Sequence, residues 1–327
     1  MSAKTVVMTE GSLGKKILLF SLPLMLSNVL QILFTMSDVA VVGRFAGSLA
    51  LGAVGSTTTL VMLFTGFLIG IGAGINVMVA RFCGARDKKN AGETIHTSAL
   101  LSLIIGLVVM GIGELLTRPL LELLGTKPDL MEGATVYLRV YFLGLPALAI
   151  FNFGNAVLSA VGDTKRPLLY LSASGVLNVA LNLLFVIGLH MSVMGVALAS
   201  IIAQYVSAIL VLIPLFHTNG IHELRLKQLR FSPDKAVRLL GLSIPAGCQN
   251  AIFHIANLFI QAGVNSFDTT VVAGNAAAAN ADGLVYDVMA AFYTACSSFM
   301  SQNFGAGKRE RILKSYFISL AYSFAAG

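Results

Sequence analysis

Long apolar runs, each interrupted by only a few polar positions, follow one another along almost the whole chain. Several exceed the ~20 residues that a helix needs to cross a bilayer. The pattern predicts eight membrane spans and a ninth that begins near Ile312. The predicted spans are 16–41, 52–80, 94–117, 135–160, 168–190, 194–216, 238–264 and 271–301. The alternation typical of membrane strands is absent from the sequence, so we expect an all-α, polytopic membrane protein.

The sequence repeats itself after about 222 residues. The matching segments are Ser21-Leu22-Pro23 with Asn28 against Ser243-Ile244-Pro245 with Asn250, and residues 81–86 against 302–307. Duplicated apolar segments are typical of transporters built from two lobes around a central site. We therefore predict two pseudosymmetric six-helix lobes. The first covers 1–216, a cytoplasmic connector covers 217–236, and 237–327 holds helices 7, 8 and part of 9 of the second.

Two complete copies of the repeat would need about 444 residues. We therefore expect the 327-residue chain to end within its second lobe and to be inactive in transport by itself.

In the second span, Gly66, Gly70 and Gly74 form a ladder of small residues, which predicts a close approach to another helix.

Composition agrees with a membrane protein, since 56% of the residues are hydrophobic and only 11% are charged. The net charge of +7 does not indicate nucleic acid, because 18 of the 22 Lys and Arg residues fall on one predicted side of the membrane, together with the N-terminus. Positive loops mark the cytoplasmic side, so we expect a cytoplasmic N-terminus. The four exceptions are Arg44, Arg118, Lys127 and Arg139.

Enzyme chemistry has no support in the sequence. It shows no nucleophile–base pair, no metal motif such as H-E-x-x-H and no facing pair of catalytic acids. The three cysteines, Cys83, Cys248 and Cys296, lack metal-ligand spacing. We expect no enzyme activity and no cofactor.

Polar residues inside the first-lobe spans are the best clue to function, because they are costly in a bilayer. In span one, Asn28, Gln31, Thr35 and Asp38 share one helical face. Asp38 is the only carboxylate deep in this lobe; the alternative is that it caps a loop or pairs with Arg44. Further stripes are Asn152, Asn155 and Ser159 in span four, Ser174, Asn178 and Asn182 in span five, and Ser200, Gln204 and Ser207 in span six. A carboxylate among amide and hydroxyl oxygens suits a proton or Na⁺. Each amide alone would equally suit an interhelical hydrogen bond.

The second lobe carries a polar stripe of its own in span seven, Asn250, His254, Asn257 and Gln261. In span eight, Asp287 is a candidate for a second titrating group. His254 is a candidate proton relay, or else a hydrogen-bonded lining residue. With those of the first lobe, the predicted cavity-lining residues are Gln31, Thr35, Gln204, Asn250, His254, Asn257, Gln261 and Asp287.

Three further motifs carry a family resemblance. They are residues 158–167, Leu-Ser-Ala-Val-Gly-Asp-Thr-Lys-Arg-Pro, residues 195–199, Gly-Val-Ala-Leu-Ala, and residues 301–308, Ser-Gln-Asn-Phe-Gly-Ala-Gly-Lys. With the duplication and Ser21-Leu22-Pro23, they resemble the multidrug and toxic compound extrusion (MATE) transporters, in their DinF-like prokaryotic branch. The resemblance implies twelve helices in a multi-pass protein of the prokaryotic inner membrane. It also implies an antiporter that exports cationic or amphipathic compounds in exchange for H⁺ or Na⁺.

The resemblance also implies an ion-coupling site made of Asp38, Asn155, Asn178 and Ser200. Many relatives carry a second carboxylate in span five, where this chain has Asn182. A lone carboxylate lacks a like-charged neighbour and offers Na⁺ one formal charge fewer. The coupling ion therefore stays open, with Na⁺ possible at Asp38, Asn178, Asn182 and Ser200.

An alternative within the same superfamily is a lipid-linked oligosaccharide flippase. Its phosphate-bearing cargo would favour a cationic cavity, and the predicted spans place no Lys or Arg inside the bilayer. The expected partners are a small cationic or amphipathic substrate and the lipid bilayer. The sequence leaves the substrate's identity and the oligomeric state open.

Overall fold

The fold was analysed in a computed structural model, which describes residues 6–218, 220–225, 229–264 and 269–327. The described residues form α-helices and two short π-helical turns, with no strand. The prediction of an all-α protein is confirmed. The helices are α1 Leu13–Val41, α2 Gly47–Gly84, α3 Lys88–Leu123, α4 Pro128–Phe142, α5 Leu145–Ala160, α6 Lys165–Leu183, α7 Ser192–Phe216, α8 Pro233–Val264, α9 Thr269–Gly305 and α10 Arg309–Ala326.

The predicted span 135–160 is wrong in detail. It consists of two helices, α4 and α5, which meet at an angle of 45°. Pro146 lies in the first turn of α5, where its ring and missing N–H prevent α4 from continuing. The hydroxyl of Tyr205 on α7 donates to the Leu143 carbonyl at 3.1 Å and so occupies a carbonyl at the break.

The remaining spans match the helices within a few residues. π-Helical turns at Val42–Ala46 and Leu184–Gly188 extend α1 and α6. Helix α8 begins at Pro233, so the predicted connector 217–236 ends inside it. Proline is well suited to a first helical position, because the N–H that it lacks would have no partner there.

Several helices are long and apolar enough to cross a membrane. Among the described residues there are five such stretches, or six with the bent pair α4–α5. One stretch is a continuous run of 72 residues, Leu13–Gly84. Both ends of this run contact the C-terminal end of α9, through Met8 before α1 and through Gly84. The chain therefore turns back at 42–47, and the run makes two spans.

Contacts between repeat-related residues reveal the predicted pseudosymmetry directly. The Ser298 hydroxyl of α9 donates to Asn76 Oδ1 of α2 at 2.9 Å, and the two residues are 222 positions apart. A residue can contact its own repeat equivalent only next to the pseudo-twofold axis. The axis therefore passes between α2 and α9.

Two matching hydrogen bonds lie on either side of this axis. Asn28 Nδ2 on α1 donates to the Asp287 carbonyl on α9 at 2.8 Å. Its repeat equivalent, Asn250 on α8, donates to the Gly66 carbonyl on α2 at 3.2 Å. Each lobe thus reaches into the other with the same amide of its first helix.

Helices α2 and α9 cross where both carry glycine. An ideal Cβ on Gly84 would lie 1.9 Å from the Gln302 carbonyl oxygen, and one on Gly305 would lie 1.9 Å from that of Arg81. No side chain fits at either position. The two glycines are repeat equivalents, and they allow direct backbone contact at the end of the bundle that holds the N-terminus, called here the near end; the opposite end is the far end.

The glycine ladder of α2 packs against α8, as its small residues predict. A Cβ on Gly70 would lie 2.5 Å from the Ala246 carbonyl, and one on Gly74 would lie 2.2 Å from Ser243 Oγ.

An apolar cluster joins α1 to α9, where the Phe20 and Phe299 rings meet edge to face at 5.6 Å. The lobes are thus held together by α1 and α2 on one side and by α8 and α9 on the other.

Replacing Gly84 by alanine should destabilise the protein, because the new methyl group would push α9 away from α2. Overpacking of this kind costs about 1–3 kcal/mol of unfolding free energy. Gly92→Ala on α3 is the matched control, since a Cβ there meets no atom within 4 Å, and alanine should raise helix stability slightly. Thermal unfolding in detergent measures both. Equal midpoints for the two variants would contradict the crossing.

Candidate functional site

Four predicted site residues form a closed ring of hydrogen bonds between α1, α6 and α7. Asn182 Nδ2 donates to Asp38 Oδ1 and, at 3.2 Å, to Asn178 Oδ1. Asn178 Nδ2 donates to Ser200 Oγ at 3.3 Å, and the Ser200 hydroxyl donates to Asp38 Oδ2 at 3.4 Å. Every member contacts two others, so a change at one of them is felt by the whole ring.

The helical repeat explains how the sequence builds this ring. Asn178 and Asn182 are four residues apart and therefore lie one above the other on the same face of α6. That face is buried, with Asn182 fully inaccessible and Asn178 6% exposed. Ser200 on α7 is 8% exposed, whereas Asp38 is half-buried. The carboxylate thus lies at the border between the lobe interior and its surface.

One polar atom next to the carboxylate has no partner. The buried Asn182 Oδ1 accepts no hydrogen bond, although buried amide oxygens nearly always do. It is an available oxygen beside the Asp38 carboxylate. Among the described residues no three His, Cys, Asp or Glu side chains are grouped as a metal site. The ring itself offers one carboxylate with neutral amide and hydroxyl oxygens, groups that suit a proton or a hard cation.

The alternative role for Asp38, an ion pair with Arg44, is not what the structure shows. Arg44 is exposed in the π-helical turn after α1, with its guanidinium 5.9 Å from the Phe45 ring centre. None of the ion pairs between described residues includes Asp38. Its oxygens instead accept hydrogen bonds from the amide of Asn182 and the hydroxyl of Ser200.

Comparison with known proteins identifies the family. The sequence model of MatE matches residues 23–184 and 245–327. The probable multidrug resistance protein YpnP of Bacillus subtilis is 31% identical over 93% of this chain and 68% of its own length. The chain belongs to the MatE family. It is accordingly a membrane transporter and not an enzyme.

Two further similarities extend over almost the whole chain. The FAD transporter of Shewanella oneidensis is 25% identical over 96% of this chain and 70% of its own length. The outward-facing conformation of a multidrug resistance MATE family transporter superimposes with a TM-score of 0.91 at 25% identity, covering 100% of this chain and 72% of that one. The present MatE chain thus spans about two thirds of the length of its relatives.

Two tyrosines beside the ring were missed by the sequence reasoning. Tyr137 and Tyr141 on α4 are buried, stack with their ring centres 6.0 Å apart, and lie within electrostatic range of Asp38. Their spacing of four residues on one face of a helix was the available signal. These tyrosines form an aromatic wall beside the carboxylate.

Two predicted residues of the first lobe are not part of the hydrogen-bonded ring, although Gln204 lies beside Tyr141. Asn155 on α5 accepts from the Ser159 hydroxyl of its own helix at 3.5 Å, and no described residue links it to Asp38. Gln204 lies at the α4–α5 break, where a Cβ on Gly144 would be 2.1 Å from Gln204 Oε1. That oxygen is buried without a hydrogen-bond partner.

Three of the predicted cavity residues outside the ring lie at the lobe junction. Asn250 and His254 face Gly66 on α2, where a Cβ on Gly66 would lie 2.9 Å from the imidazole. Asp287 is half-buried beside Asn28. Gln31 and Asn257 are exposed. The side chains of Thr35 and Gln261 lie outside the described residues.

Restoring a second carboxylate should tighten ion binding at the ring. In Asn182→Asp, two acidic groups would face each other, and such a pair holds one proton or Na⁺ more tightly than a single acid does, by about tenfold or more. Binding of radioactive ²²Na⁺ to purified protein across a pH series measures the change. Asn155→Asp is the matched control, because it adds the same charge outside the ring. Equal binding by both variants would show that residue 182 does not touch the ion.

Proposed function

We propose that this MatE chain belongs to an antiporter that exports cationic or amphipathic compounds and is driven by H⁺ or Na⁺ at Asp38. The hydrogen-bonded ring around Asp38 is the observation that carries the proposal. An ionised carboxylate within a bilayer helix is costly. Binding a proton or Na⁺ removes that cost, and the unpartnered Asn182 Oδ1 offers the ion an additional oxygen.

Ion binding can drive transport only if it favours one packing of the helices over another. The ring ties α1 to α6 and α7, and two of its four bonds end on the Asp38 carboxylate. A proton on Asp38 would convert one of its oxygens from acceptor to donor and so would require the ring to rearrange. A neutral or cation-filled ring thus favours a different position of α1.

The distribution of charge supports a cationic substrate. Asp38 and Asp287 are carboxylates on helices at the lobe junction. Arg139, the basic residue nearest to the middle of a span, is exposed on α4 and interacts electrostatically with Glu114 on α3. Several relatives are named as multidrug resistance or multidrug export proteins. The FAD transporter shows that the family also includes a carrier of a phosphate-bearing substrate.

We further propose that the near end of the bundle is cytoplasmic and that the far end is open in this conformation. The predicted cytoplasmic side carries 18 of the 22 Lys and Arg residues, as expected for loops that stay in the cytoplasm. The backbone contact at Gly84 and Gly305 closes the near end. The likeness to an outward-facing transporter supports the same assignment.

In a chain of the relatives' full length, replacing Asp38 by asparagine should abolish ion-driven export, because an amide cannot bind and release a proton and adds no charge for Na⁺. Efflux of ethidium, a cationic dye, from cells without their own efflux pumps should fall to the background rate, with normal protein levels in the membrane. Asp129→Asn, at an exposed carboxylate at the start of α4, is the control and should export normally. Normal efflux by the Asp38 variant would overturn the assignment.

Inside-out vesicles prepared from the same cells separate the substrate classes. With an imposed ion gradient, uptake of ethidium into inside-out vesicles is expected, and uptake of FAD is not. Transport of FAD but not of ethidium would show that the substrate bears phosphate and would refute the proposal of a cationic substrate. The role of Asp38 would then be tested with FAD as the transported compound.

A further inference from the structure

The segment before α1 crosses the junction between the lobes at the near end. In residues 6–12, called here the strap, the side chains of Val6 and Met8 pack on the apolar cluster between α1 and α9. Backbone N–H and carbonyl groups of the strap contact both lobes. A segment that joins two bodies mainly through its backbone is suited to a contact that forms and breaks as a unit.

On the first lobe, the strap meets the loop between α5 and α6. The Val6 N–H donates to the Gly162 carbonyl at 3.0 Å. Gly162 has a φ of 91°, which is unfavourable for other residues, and a Cβ there would lie 2.3 Å from the Val6 carbonyl oxygen. The loop therefore presents a glycine where the strap lies against it.

On the second lobe, Arg311 of α10 holds the strap with two hydrogen bonds. Its Nη1 donates to the Gly11 carbonyl at 3.0 Å, and its Nη2 donates to the Met8 carbonyl at 3.1 Å. Its Nε donates to Asn303 Oδ1 at 3.2 Å, which orients both side chains. Charged donors form stronger hydrogen bonds than neutral ones.

Two more donors complete this contact. Asn303 Nδ2 also reaches the Met8 carbonyl, at 3.3 Å, and Lys308 Nζ reaches the Thr9 carbonyl at 2.9 Å. The Met8 side chain is fully buried in the apolar cluster between α1 and α9. The strap thus closes the near end of the lobe junction with both polar and apolar contacts.

The second repeat has an equivalent segment. One repeat after the strap, residues 229–234 precede and begin α8, and they contact the first lobe at α3. Thr97 Oγ1 donates to the Arg230 carbonyl at 3.5 Å and accepts from the Ser232 N–H at 3.2 Å. Lys235 Nζ donates to Asn90 Oδ1. Each lobe therefore extends the segment before its first helix onto the second or third helix of the other lobe.

The Asn90 end of this second contact is itself fixed. Asn90 Nδ2 donates to Asp87 Oδ2 at 2.6 Å, and its backbone N–H donates to Asp87 Oδ1 at 3.1 Å. These two bonds lower the pKa of the Asp87 carboxyl. Asp87 is the N-cap of α3, so the residue that binds Lys235 is itself held in the first turn of a helix.

We propose that the strap and its repeat equivalent are paired latches that keep the near end closed, and that they must release before the transporter can open to that side. The inference rests on the proposed transport function, because only a protein that opens alternately needs such a release. The lobes cannot separate at the near end while Val6 is bound to one lobe and Met8 to the other. The strap therefore contributes to the free-energy difference between the state that is open at the far end and the state that is open at the near end.

Removing the Arg311 contacts should shift that balance. Spin labels on cysteines at Lys165 of α6 and Lys314 of α10, both exposed at the near end, report the distance between the lobes by pulsed electron paramagnetic resonance. Cys83, Cys248 and Cys296 are first replaced by alanine. In Arg311→Gln, the population with the longer distance should grow by roughly tenfold relative to the parent, as expected for the loss of two charge-assisted hydrogen bonds.

Arg309→Gln is the matched control, since Arg309 is exposed, lies two residues away and is not among the donors to the strap. Its distance distribution should equal that of the parent. If Arg311→Gln does not fold, Lys308→Gln removes one exposed contact and should give a smaller shift in the same direction. Unchanged distances in the folded Arg311 variant, or in Lys308→Gln where that one is needed, would overturn the proposal.

The measurement needs neither substrate nor an ion gradient, so the latch and the transport function can fail separately. Persistent export by Asp38→Asn would refute the coupling site, and the distances between the spin labels would still test the latch. Unchanged distances would refute the latch and leave the coupling site as it is.

Discussion

The backbone contact between α2 and α9 at Gly84 and Gly305 is the constraint on which the rest of the arrangement depends. The contact lies near the pseudo-twofold axis and brings the near ends of both lobes together. Asn76 and Ser298 then meet on the axis, and the strap can reach α10. Because each glycine faces the other helix's backbone, neither lobe can move at this end without giving up the contact. The far halves of the helices are not bound by it.

The low dielectric of a bilayer explains why so many of the contacts are polar. Buried amides and hydroxyls must find partners within the protein, since no water is available to them. Asn28, Asn76 and Asn250 meet this requirement by binding across the lobes, which makes the junction specific as well as strong. The ring at Asp38 meets it within one lobe, with the exception of Asn182 Oδ1. That oxygen is the additional ligand assigned to the ion in the proposed coupling site.

The ring and the strap lie at different depths but act on the same helix. Asp38 is near the far end of α1, and the strap leads directly into its near end. A change in the charge of Asp38 alters how α1 packs on α6 and α7, and release of the strap alters how α1 packs on α9. Helix α1 therefore belongs to two sets of contacts, and each favours one position of the helix. This is the physical basis on which ion binding at one end could be coupled to opening at the other.

The sequence alone indicated the all-α class, the spans other than 135–160, the duplication and the four polar residues that form the ring, because helical periodicity and the cost of burying polar groups are local properties. The resemblance also placed Asn155 in the ion-coupling set, and only the tertiary structure shows that this side chain bonds within its own helix and not to the ring. The break at Pro146, the tyrosines beside Asp38 and the strap also needed the tertiary structure. Each of them depends on which helix lies opposite, and no pattern within a single segment carries that information.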